Sequence, residues 1–164
     1  MIALSLLVSL ASTPALGTAE GRCRVGDRSE IQVAVEGLKD RVGLLRAELY
    51  PDNDADFLAD DNVLIAAGKT FARVDMAVPV HDPAMLCIRA PRPGRYSLSL
   101  LHDRNGNLHF DFGKDGIGFP GNPHLGWSKP HAAAASITVR EGVNRIAIRM
   151  NYRRGLLMRP LDAR

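Results

Sequence analysis

The densest run of chemically capable side chains is His102-Asp103-Arg104-Asn105-Gly106-Asn107-Leu108-His109-Phe110-Asp111, with Asp115 shortly after. Asp103, Asn105 and Asn107 stand at alternate positions, and Asp111 and Asp115 follow. Calcium takes about six to eight hard oxygens, and short Asp and Asn side chains at this spacing can wrap around one ion. The spacing departs from an EF-hand. Leu108 stands where that loop requires Gly, and Lys114 where it requires the bidentate Glu. A looser Ca2+ site on Asp103, Asn105, Asn107, Asp111 and Asp115 is one expectation for this segment.

Two other readings compete with it. Four of the five histidines lie between His102 and His131. If Asn105-Gly106 forms a two-residue hairpin, His102 faces His109, with Cβ atoms about 5 Å apart. His124 and His131 can then complete a Zn2+ or Cu2+ site from the following loop. The plainer reading is a turn and nothing more, because Asn-Gly is the strongest short hairpin signal. A second acidic run, Asp52, Asp54 and Asp56 with Asp60 and Asp61, reads as a solvated loop. Trp127, between Gly126 and Ser128, reads as a packing anchor or a stacking surface for a sugar or apolar ligand. There is no Gly-x-Ser-x-Gly elbow and no phosphate-cradling glycine motif after a strand, so nucleophilic catalysis has no support.

The elements that must hold these residues are strands. Ile31, Val33 and Val35 alternate with polar or small neighbours, as do Leu45, Ala47 and Leu49, then Tyr96, Leu98 and Leu100. Phe71 to Val78, Met85 to Ala90, Ile137 to Val139 and Ile146 to Ile148 are further β-favouring runs. Turn chemistry separates them at Lys39-Asp40-Arg41, Pro91-Arg92-Pro93-Gly94 and Glu141-Gly142-Val143-Asn144. About seven half-buried strands predict an all-β, immunoglobulin-like antiparallel sandwich, since each apolar face must be covered by another. Pro93-Gly94-Arg95-Tyr96 resembles a tyrosine corner, with Tyr96, Leu98, Leu100 and His102 facing in and Ser97, Ser99 and Asp103 facing out. Helix signal is confined to Phe57 to Ala67. A long irregular loop is expected at about 104–133. The basic tail from Tyr152 to Arg164 reads as a frayed end or a last strand.

The chain has 164 residues, 46% hydrophobic, with a formal charge of +3. That length suggests one domain, and that basicity is too weak to indicate nucleic acid. Met1 to Ala19 carries no charged side chain, and Ile2 to Leu10 is an apolar stretch ending in small residues at Gly17-Thr18-Ala19. This reads as a signal peptide over 1–19, with the sandwich domain over 20–164 and no transmembrane segment in the mature chain. Glu20-Gly21-Arg22 before Cys23 is no lipobox. The two cysteines, Cys23 and Cys87, then reach an oxidising compartment, periplasmic or extracellular, where one disulfide is expected. It closes a loop of about 63 residues, worth roughly 4 kcal/mol in the chain-entropy model.

Three groups of residues carry a family resemblance. Pro93-Gly94-Arg95-Tyr96, the run His102-Asp103-Arg104-Asn105-Gly106-Asn107, and Gly116-Ile117-Gly118-Phe119 with Asn122-Pro123 resemble the uncharacterised exported bacterial proteins of domain of unknown function 2141. Val33 to Tyr50 and Ala135 to Tyr152 are similar too. The resemblance implies secretion and a sandwich related to transthyretin-like and carboxypeptidase-regulatory modules. It implies no activity, so no catalytic role carries over. Relatives often continue the run with Gly-Lys-Leu-Asp, whereas this chain has Leu108-His109-Phe110-Asp111. The expectation is a non-enzymatic module presenting the His102 to His131 loop to a small ligand, a metal ion or an envelope protein. The alternatives are a metal-dependent hydrolase using the loop histidines, and a structural or adhesion partner of the cell envelope.

Overall fold

The computed structural model describes residues 19–20 and 29–161. The expected signal peptide, but for its last position, and Cys23 lie outside the described residues. Among the described residues, eleven strands and one short helix follow one another: β1 (Ala19–Glu20), β2 (Glu30–Glu36), β3 (Leu44–Pro51), α1 (Asp61–Ala66), β4 (Ala72–Ala77), β5 (Ala84–Arg89), β6 (Gly94–Asp103), β7 (Gly116–Gly118), β8 (Ser136–Val139), β9 (Val143–Arg149), β10 (Asn151–Arg154) and β11 (Leu157–Pro160). A 3-10 turn at Ala132–Ala135 leads into β8.

The strands form two sheets. The larger runs β1-β4-β3-β6-β7-β10-β11, with β8 also beside β6, and the smaller runs β5-β2-β9. The ten-residue β6 is the hinge of the large sheet. On one edge it pairs along its length with β3. On the other, β8 takes Gly94 to Ser97 and β7 takes Leu100 to His102. The pairing is antiparallel except at two places, β1 with β4 and β2 with β9. Strand β9 follows β8 of the large sheet. The chain therefore crosses between sheets before β9, and it arrives running the same way as β2.

The alternating residues meet between the sheets. Ile31 and Val33 of β2, Leu86 and Ile88 of β5 and Ile148 of β9 are fully buried against Leu45, Ala47 and Leu49 of β3 and Leu98 and Leu100 of β6. Ile146 packs at the edge of the same cluster. Side chains alternate across a strand, so this register commits every odd residue of β3 and every even residue of β6 to the interior. Tyr96 begins the β6 series, and its hydroxyl donates to Arg92 O at 2.9 Å, closing the Pro-Gly turn.

The opposite face of β6 is not open to water. Ser97, Ser99 and Asp103, expected to face out, lie on that face, but they are only 0%, 4% and 1% exposed. A second apolar cluster of Tyr50, Phe57, Leu64, Phe119, Leu125, Ala132, Ala135 and Met158 covers it. Phe57 meets Tyr50 and Phe119 edge-on, with centroids 5.7 and 5.8 Å apart. Besides Tyr50 of β3 and Met158 of β11, these residues come from the β3–α1 loop, the helix, and the long segment after β7. Phe57, Phe119 and Leu125 were invisible to strand periodicity because each lies in an irregular stretch. The helix is shorter than the expected Phe57 to Ala67. It starts at Asp61, where the Asp60 carboxylate accepts from Asn62 N, and it buries Leu64.

The acidic run does structural work in this second layer. Asp54 accepts from Ala132 N at 2.7 Å and His131 Nδ1 at 2.8 Å. Asp56 is buried and takes the Lys69 ammonium. Asp52 binds Arg95 and Ser97, and Asp61 binds Arg73. Instead of a solvated loop, the run anchors the loop before β8 and the helix to the sheet. The tail is a hairpin, β10 with β11, added to the edge at β7. Among the described residues no helix is long and apolar enough to cross a membrane.

Candidate functional site

The polar run begins at the last two residues of β6 and forms the loop from Arg104 to Asp115, which β7 closes by pairing Gly116 with His102. The connection is therefore a long loop, and Asn105-Gly106 is not the centre of a two-residue hairpin. Gly106 and Leu108 both take positive φ, at 70° and 67°.

The two buried carboxylates organise this loop from inside. Asp103 accepts from Gly106 N at 2.8 Å through Oδ1 and from Leu108 N at 2.7 Å through Oδ2. Asp115, 1% exposed, accepts from Arg104 N at 2.9 Å and from Asp111 N at 2.8 Å. Loop amides that no strand partner can satisfy are thus bonded to carboxylate oxygens, which are stronger acceptors than neutral groups. The exposed layer sits above them. Asp111 Oδ2 receives Asn105 Nδ2 at 2.6 Å and Asn107 Nδ2 at 2.9 Å. Asn105 and Asn107 in turn accept from Asn107 N and His109 N.

Three tethers hold the loop to the sandwich. Arg46, almost buried on the outer face of β3, donates to Leu108 O at 2.8 Å while its guanidinium grips Asp75 at 2.6 Å. Arg104 binds the Asp40 carboxylate and donates to Lys114 O. That hydrogen bond holds the Asp40 carboxyl below its ordinary range, against the opposing effect of burial. Gly43 lies directly under Asp103, and a Cβ there would fall 2.0 Å from Asp103 O. None of these tethers was legible in sequence. Arg46 sits at an alternate strand position that reads as solvent-facing, and its loop partner is 62 residues away.

The histidines do not gather. His102 turns into the core, fully buried. Its Nε2 lies 2.8 Å from Val42 O, an acceptor only, so Nε2 carries the proton. Nδ1 then accepts from the Tyr152 hydroxyl at 2.6 Å, and that oxygen accepts from Lys39 N at 3.0 Å. Burial drives the His102 imidazole toward its neutral form, and it raises the Tyr152 phenol to about 12. His109 is on the exposed side of the loop, His124 lies beyond β7, and His131 is bonded to Asp54. Among the described residues no three His, Cys, Asp or Glu side chains group as metal ligands. Trp127 is 79% exposed, which removes it as a packing anchor. Cys87 is buried in β5, and its expected partner Cys23 is outside the described residues.

The family model described as an uncharacterised protein conserved in bacteria (DUF2141) matches residues 33–147, from β2 through most of β9, and so includes both sheets and the polar loop. No curated protein and no solved structure matches the chain. With well over half of its length covered by that model, the chain belongs to the DUF2141 family of bacterial proteins.

Proposed function

We propose that this protein is an exported, non-enzymatic binding module whose Asp103–Asp111 turn is a low-affinity calcium loop. The observation that carries the reading is the backbone of Leu108. Calcium loops of the EF-hand kind make their sharp bend at the sixth position, where Gly normally supplies the positive φ. Counted from Asp103, the sixth position is Leu108, with φ of 67°. The bend is present even though the glycine is not, and the first-position carboxylate holds it through the Leu108 amide.

Side-chain positions support the same reading. Asn105, Asn107 and Asp111 occupy the third, fifth and ninth positions, and their polar ends already converge. Rotating the two amides by half a turn brings their oxygens beside Asp111 Oδ2, at the cost of the bonds those oxygens accept from Asn107 N and His109 N. The seventh position of such a loop gives a main-chain carbonyl, at His109 here. Lys114 replaces the bidentate Glu of the twelfth position, so affinity falls in the weak range of extracellular modules, roughly 0.1–1 mM. That range suits a protein exported by a leader at 1–19 and tied by Cys23 and Cys87. The non-enzymatic reading rests on the buried groups with chemistry, since His102, Asp103 and Asp115 are each spent on main-chain or core partners.

Thermal melting in 5 mM calcium against EGTA tests the loop. At 5 mM, about five to fifty times that dissociation constant, a ligand that binds only the native state stabilises by about 1–2 kcal/mol. We expect a raised Tm with calcium, a smaller rise with magnesium, and no calcium response in Asp111→Ala. An unchanged Tm at 5 mM calcium overturns the calcium reading. Export is tested separately by the mass of the full-length gene product recovered from the periplasm. It should begin at Glu20 and lose two mass units to the disulfide; a chain still beginning at Met1 refutes the leader.

A further inference from the structure

A second feature lies outside the polar loop and shares no residue with it. Between the segment after β7 and the β10–β11 hairpin is a cleft of about 340 Å3. Arg149, Arg154, Arg159 and His124 stand at its rim, and Leu125 and Met158 are in its lining. The two apolar side chains are 7% and 6% exposed, so the floor is built from the second apolar cluster. The arginines come from three consecutive strands, β9, β10 and β11, folded so that the tail brings its basic residues to one place. Among the described residues that line the cleft, none carries a carboxylate side chain. Arg149 meets Glu36 at 3.7 Å in an exposed pair.

We propose that this cleft binds a small organic oxyanion carrying at least two negative charges, such as a phosphate ester or a polycarboxylate. Guanidinium groups present planar forks that match carboxylate and phosphate oxygens two at a time. Three of them around one concavity, with an apolar floor, supply both halves of such a ligand's recognition. The volume lies at the lower end of the range for small-molecule sites, which fits a ligand larger than a bare phosphate. The loose Arg149–Glu36 pair is the kind a better anion displaces, because exposed ion pairs contribute little. The three arginines fall after residue 147, beyond the family match, whereas His124 and Leu125 lie within it.

Isothermal titration with pyrophosphate and with citrate at low ionic strength tests the proposal, and phosphatidylglycerol vesicles form a separate arm. We expect saturable binding of a soluble anion, weakened at least tenfold by Arg159→Ala and by Arg154→Ala and by raising the salt to 0.3 M. Glu36→Gln, which removes the competing carboxylate without touching the arginines, should tighten binding at least twofold. Far-UV circular dichroism and Tm of each variant must match the parent protein. No heat at 10 mM of either anion overturns the site. Equal affinity in the arginine variants overturns it too, as does binding to vesicles alone, which assigns the basic tail to a membrane surface instead. Calcium plays no part in these titrations, so their failure and that of the calcium loop are separate results.

Discussion

Replacing Asp103 by Asn isolates the feature on which the loop depends. The two side chains have the same shape, so the change alters hydrogen bonding and charge alone. In the native protein each Asp103 oxygen takes one loop amide, Gly106 N at 2.8 Å and Leu108 N at 2.7 Å, and the side chain is 1% exposed. A hydrogen bond to a carboxylate is worth about 1.5–3 kcal/mol net. Asn keeps one acceptor and turns an NH2 toward the other amide. One such bond is lost and a main-chain donor is left without a partner, a further cost of about 1–3 kcal/mol if it stays dry. Partial relaxation of the loop brings the expected loss to about 3 kcal/mol, or about 6–12 °C in Tm for a chain of this size. The assay is urea unfolding in EGTA, where the midpoint should fall with an unchanged m value. Asp111→Asn is the control. Its carboxylate meets exposed side-chain amides only, so about 0.5 kcal/mol is expected. If Asp103→Asn costs no more than Asp111→Asn, the carboxylate does not organise the loop.

Two further outcomes follow from buried contacts. His102 is held neutral, so as pH falls through about 6.5 the unfolded chain takes up a proton that the native state resists. Stability is therefore full above that pH and falls on the acid side, with a limiting slope of about 1.4 kcal/mol per pH unit for one proton. Urea melts between pH 7.5 and 5 should show this slope in the parent and a smaller one in His102→Gln. An equal slope in both would assign the effect elsewhere. Asp40, Asp54 and Asp56, whose carboxyls are held low by Arg104, by Ala132 N and His131, and by Lys69, contribute stability that is lost only as pH falls below about 4. The glycines give a second contrast. Gly106→Ala places a methyl in open space at positive φ and should cost about 1 kcal/mol. Gly43→Ala drives a Cβ to 2.0 Å from Asp103 O and should cost more than about 3 kcal/mol or prevent folding. Similar urea midpoints for the two would show that β3 and β6 can separate at that point.

The two-sheet core was readable because its signal is local. Period-two alternation in β2, β3 and β6, and turn residues between them, state which side chains face inward before any partner is known. The Pro-Gly-Arg-Tyr corner is also local, since the Tyr96 hydroxyl reaches only four residues back. What covers the other face of β6 was not readable. Phe57, Phe119, Leu125 and Ala135 lie in irregular segments, and burial there depends on which loop folds over which strand.

The polar loop divides along the same line. Its oxygen-rich composition was plain in the sequence, and so was the departure from an EF-hand at Leu108 and Lys114. Sequence spacing is compatible with a hairpin, a calcium loop or an imidazole cluster, because each asks only for certain residues within reach. Tertiary structure decides the shape of the loop, which is not a two-residue hairpin: Arg46, Asp40 and Gly43 hold it from distant strands, and Tyr152 with Val42 claims His102 for the core. The β-sandwich thus came from local alternation. The direction in which each polar side chain points came from contacts between residues tens of positions apart, which one-dimensional spacing does not encode.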